Sequence, residues 1–156
     1  MSDEPRQFVD SNVLVYANDR SAAAKRCRAA ALVAQLATSR LGAVSVQILQ
    51  EFFVTATRKL PQPLPVADAA AIIADLGTWH VHSPQASDVL RAVELQQRFS
   101  LSFWDAMILH SASALRCQIL WSEDLAHGRR YDGVEVRNPF APAVRAPLEG
   151  VEESSG

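Results

Sequence analysis

The chain has 156 residues, 49% of them hydrophobic and 21% charged, with a formal net charge of −2. These values fit one soluble domain with a full core and exclude a strongly basic nucleic-acid binder, while leaving room for an enzyme with a local acidic pocket. Charged residues interrupt every apolar run well short of the ~18 residues of a membrane span, and the acidic opening MSDEPRQ is not a signal peptide, so a cytoplasmic protein without a membrane partner is expected.

In chain order, residues 6–9 predict a first strand, which stops on a carboxylate in FVDSNVLVYANDR; Ser11 and Asn12 begin the next helix. Residues 22–38, AAAKRCRAAALVAQLAT, are alanine-rich, free of proline and glycine, and predict a helix. A short strand at 41–45 leads into 46–59, where Ile48, Leu49, Phe52, Phe53 and Ala56 form the stripe of an amphipathic helix, stopped by LPQPLP. Residues 66–76 predict a helix with Gly77 as its C-cap, 79–82 a strand, and 86–99 and 103–115 two further helices. Strands at 118–121 and 134–137 complete the pattern. Strands alternating with helices imply an α/β three-layer sandwich, its mainly parallel sheet of about five strands flanked by helices. The domain is expected over 1–140, with 141–156 as a flexible, acidic C-terminal tail. Cys27 and Cys117 lie in apolar contexts and read as reduced core thiols.

Four acidic residues stand where an ordinary core would not put them. Asp10 ends the first strand, Asp124 follows the strand QILW, Asp105 opens a helix in FWDAMIL, and Glu51 lies inside the apolar helix VSVQILQEFFVTA. In an open parallel sheet, functional groups gather where strands end and helices begin. Each residue also has a plainer explanation: Asp10 and Asp124 as N-caps, Ser102 and Asp105 as a capping box, Glu51 as the wet edge of its stripe. Together, however, they would repel unless a cation joined them. Ligation by oxygen alone is what Mg²⁺ or Mn²⁺ prefers, and such a site suits phosphodiester hydrolysis.

The set FVDSNVLVYA, QEFFVTA, FWDAMIL and LWSEDLAHG, closed by GVEVRNPF, resembles the PIN-domain ribonucleases, and more narrowly the VapC-type toxins of bacterial toxin–antitoxin pairs. The likeness covers about residues 6–140. It implies a catalytic, metal-binding quartet of Asp10, Glu51, Asp105 and Asp124, with Asn12 and Ser122 as supporting polar residues. Glu123 adjoins Asp124, and a one-residue shift of the loop would exchange their roles. The resemblance further implies a Mg²⁺- or Mn²⁺-dependent endoribonuclease with one or two ions, leaving a 3′-hydroxyl and a 5′-phosphate. It implies a homodimer, and a small antitoxin whose inserted arginine could pair with the carboxylates.

Arg129 and Arg130, after the Asp124 loop, are the cations best placed for RNA phosphates; Lys25, Arg26, Arg28, Arg58 and Lys59 read as solvated or helix-terminal charge. His80 and His82 share a strand face in WHVHSP, but no Cys or third His has a matching zinc spacing; His110 and His127 read as packing or surface residues. No G-x-S-x-G elbow or G-x-G-x-x-G loop is present. A receiver-like or phosphatase-like domain lacks its D-x-D pattern and a late lysine, since Lys59 is the last in the chain. The alternative from another class is a non-catalytic PIN-like scaffold that binds RNA or protein.

Overall fold

The structure, a computed structural model, describes residues 4–142; the remainder of the expected tail, from 143 on, lies outside the described residues. The elements in chain order are β1 (Arg6–Val9), α1 (Ser11–Ala17), α2 (Ala23–Ser39), β2 (Gly42–Ser45), α3 (Val46–Arg58), α4 (Val66–Leu76), β3 (His80–His82), α5 (Ala86–Phe99), α6 (Phe103–Ala114), β4 (Cys117–Trp121), β5 (Arg130–Tyr131) and β6 (Val134–Arg137). The expected sandwich is present, with six strands instead of five. The addition, β5, is a two-residue strand antiparallel to β6, too short to carry any periodic signal.

The strand order is β3-β2-β1-β4-β6-β5, and every pairing except β5–β6 is parallel. The chain therefore moves outward from β1 through β2 to β3, then crosses back to place β4 on the other side of β1. Right-handed crossovers put α1–α4 on one face and α5 and α6 on the other. The contacts agree: α1 packs on α2 and α3, α3 on α4, and α5 on α6, which lies against β2, β4 and β6. Phe8, Val9, Val44, Leu120 and Val136 fill the sheet centre, with Ile48 and Phe52 of α3 above them, all fully buried.

Local chemistry sets the element ends. The Ser45 and Ser102 hydroxyls accept backbone N–H bonds from Ile48 and Asp105 and start α3 and α6. Gly77 ends α4 as expected, its N–H bonded to the Ile73 carbonyl at 2.8 Å. Helix α2 ends at Arg40 in the left-handed region, φ 61°. Cys117 is buried, but Cys27 is exposed, which corrects the core assignment for that thiol. On α2 only Ala29 and Leu36 are fully covered, and Cys27, two residues from Ala29, turns about 200° away from that line.

Candidate active site

The reversal of winding direction falls between β1 and β4, and loops leaving adjacent strands on opposite sides open a crevice there. Both halves of the acidic cluster come from this point. Val9 pairs with Trp121, and the ladder runs one residue further through Asp10 N–H to the Trp121 carbonyl, 2.9 Å. Asp10 then turns the chain into α1. Its Oδ1 accepts the Ser11 N–H at 2.7 Å, so the capping role is real. Its Oδ2 does something a cap does not need: it accepts the hydroxyl of fully buried Ser122 at 2.7 Å.

Small polar side chains tie the other carboxylates to Asp10. The Ser11 hydroxyl donates to Glu51 Oε2 at 2.8 Å, and the Gln47 amide to Glu51 Oε1 at 2.9 Å. Asn12 Nδ2 donates to Asp124 Oδ2 at 3.0 Å and reaches Asp10 Oδ2 at 3.5 Å. Asp10, Glu51 and Asp124 are thus joined through Ser11, Asn12 and Ser122. Among the described residues, Glu51 meets neutral donors rather than a cation. Burial above all, with the nearby charges of Glu51 and Asp124, pushes the Asp10 carboxyl up to about 6, against the opposing pull of its bonds from Ser122 and Ser11. The chain runs from Asp124 through a loop into β5, so Asp124 is not an N-cap.

Asp105 sits in the first turn of α6, which precedes a strand parallel to β1 and so begins at the same carboxyl edge. The Ser102 half of the predicted capping box forms; among the described residues the carboxylate of Asp105 accepts no hydrogen bond to complete it. Asp105 is therefore at the correct edge but is not tied into the network of the other three.

The side chains of Glu123 and Asp124 take different partners, while the Glu123 N–H also reaches Asn12 Oδ1 at 3.4 Å. Glu123 forms an ion pair with Lys25, whereas Asp124 reaches Asn12. Lys25, in α2, lies 4.5 Å from the centre of the Tyr16 ring and 5.3 Å from that of Phe140, and its bond with Glu123 raises its pKa. In the sequence Lys25 looked like solvated helix charge; its only clue was its place on a helix that must fold back over α1. Arg129 and Arg130 are not brought to the cluster. Arg130 is in β5, three strands and on the order of 14 Å from β1, and the Arg129 guanidinium stacks 4.6 Å from the Tyr131 ring centre. The two histidines of WHVHSP also part: His80 Nε2 is 3.2 Å from the Arg40 carbonyl, while His82 lies against Ser111.

The family model for the PIN domain matches residues 8–132. The fold is similar to a chain of a toxin–antitoxin complex from Klebsiella pneumoniae, with a TM-score of 0.61 and 20% identity over 86% of this chain and 98% of that one. It is also similar to a chain of VapBC2 from Rickettsia felis bound to a DNA fragment from their promoter, with a TM-score of 0.58 and 16% identity over 85% and 97%. No curated protein sequence matches the chain.

Proposed function

The chain belongs to the PIN domain family, and on that footing we propose that it is a metal-dependent endoribonuclease, the toxin of a toxin–antitoxin pair. The observation that carries this reading is the join of Asp10, Glu51 and Asp124 through Ser11, Asn12 and Ser122 at the switch between β1 and β4. A buried carboxylate beside two others, with only neutral hydrogen-bond donors around it among the described residues, is a donor set that fits a hard divalent cation.

Asp10, Glu51, Asp105 and Asp124 would hold Mg²⁺ or Mn²⁺. When bound, such an ion lowers the pKa of water and offsets charge building on a phosphate. The chain's own part is to orient: Ser122 and Asn12 fix the oxygens of Asp10 and Asp124, and Ser11 fixes Glu51. Arg129 and Arg130, away from the acidic cluster, would contact flanking phosphates of the RNA.

The partners follow from the same reading: RNA as substrate, a second copy of the chain, and a small antitoxin, all in the cytoplasm. A groove of about 330 Å³ between α1, α2 and α4, lined by Ala17, Val33, Ile72, Leu76 and Trp79, is apolar enough to take a helix of that antitoxin. No helix among the described residues is long and apolar enough to cross a membrane.

The test is cleavage of total cellular RNA by purified protein with Mg²⁺, with Mn²⁺ and with EDTA, alongside Asp10→Asn. Cutting that needs metal and vanishes in the variant supports the proposal. If neither RNA nor DNA is cut, and calorimetry finds no Mn²⁺ binding, the chain is a binding scaffold.

A further inference from the structure

Outside the acidic cleft, three side chains converge that RNA cleavage does not use. His82 ends β3, Asp88 stands in the first turn of α5, and His110 lies within α6. Their ligand atoms all fall within 4.8 Å of one another, and no other group of three or more His, Cys, Asp or Glu among the described residues does so. His110 Nε2 is 2.7 Å from Asp88 Oδ1, and His82 Nε2 is 3.6 Å from Asp88 Oδ2, so both rings turn the same nitrogen toward one carboxylate.

The ligand atoms are also held from behind. His82 Nδ1 lies 2.8 Å from the hydroxyl of fully buried Ser111, and Asp88 Oδ2 accepts the Gln85 N–H at 2.7 Å. Histidines that ligate metals through one ring nitrogen commonly give the other N–H to such an oxygen.

We propose that His82, Asp88 and His110 form a second cation site, built for a borderline transition metal of the Zn²⁺ class, with water completing the coordination. Two imidazoles and one carboxylate are a three-ligand zinc set. Tetrahedral ligands about 2.0–2.1 Å from zinc stand roughly 3.3 Å apart, so the side chains need only small movements. His110 enters as the tautomer protonated on Nδ1. Mg²⁺, which favours oxygen ligands, is not the occupant. The site is separate from the acidic cluster: His110 is five residues beyond Asp105, about 140° around α6 and about 7.5 Å along it. A bound ion would tie β3, at the sheet edge, to both helices of the α5–α6 pair.

The experiment uses the full chain, without a histidine tag, carrying Asp10→Asn to weaken the acidic site. Zinc chloride is titrated in tenfold excess Mg²⁺ while imidazole ¹H–¹⁵N correlations are followed for the four histidines. His82 and His110 should shift together up to one equivalent, with His80 and His127 unmoved, and the thermal midpoint should rise. His82→Gln and His110→Gln, with folding checked by circular dichroism, should each weaken zinc binding at least tenfold. Zinc that leaves the His82 and His110 resonances unmoved, or that binds equally in both folded variants, overturns the proposal and reduces the trio to an anchor for α5. Neither result depends on whether the chain cuts RNA.

Discussion

Asp10 divides its work between two oxygens, one holding the start of α1 and the other facing Ser122 and the neighbouring acids. The fold favours its protonated form, since the pKa stands at about 6 against an ordinary 3.8. The sign follows: its contribution to stability is full below about pH 4, is lost as pH rises through about 6, and leaves a cost of up to ~3 kcal/mol at pH 7. In EDTA, Asp10→Asn should therefore be more stable than the wild type at pH 7, with the gap closing toward pH 4; urea unfolding across that range measures it. The same variant should have no detectable cleavage, and wild-type Mn²⁺ binding should weaken as pH falls below about 6. Asn12→Ala, which removes the link between Asp10 and Asp124, should weaken Mn²⁺ binding about 10- to 100-fold by calorimetry. At this scale the sequence is informative where a residue's place depends on its own strand. Asp10 and Ser122 both follow a strand end, and both could be placed. The Lys25–Glu123 pair could not, because it depends on how α2 packs over α1, which no local pattern records.

Helices and strands were legible wherever an apolar period ran for a few turns or residues. The 66–76 and 86–99 helices carry the predicted bounds, and the others differ by a residue or so at their ends. What failed was short or side-neutral: β5 has two residues, and α2, rich in alanine, does not advertise which side faces the core, so Cys27 was misplaced. One element contact is tight enough to test. A Cβ at Gly42, in β2, would stand 2.5 Å from the Trp79 ring. Gly42→Ala should cost about 1–3 kcal/mol through overpacking, read as a lower urea midpoint with a changed Trp fluorescence spectrum. The affected strand, β2, leads into the helix that carries Glu51.

For the molecule as a whole, the expected self-association has a natural surface. Helix α5 presents Val89, Leu90 and Val93 at 41%, 67% and 38% exposure, at i, i+1 and i+4. Sedimentation should show a dimer, and Leu90→Glu should shift it toward monomer while leaving the circular dichroism unchanged. The topology has one more consequence, and it concerns time. The hydrogen bond between Asn12 and Asp124 spans 112 residues, because the central strand β1 comes first and its second neighbour, β4, comes late. At roughly 5–20 residues per second, a ribosome that has made one half of the cluster needs on the order of ten seconds to make the other. For most of that interval the nascent chain holds Asp10 and Glu51 without Asp124, an acidic cluster still lacking a wall. On the proposed toxin reading, a chain built this way is harmless for most of its own synthesis, and an antitoxin already present has that interval in which to meet it.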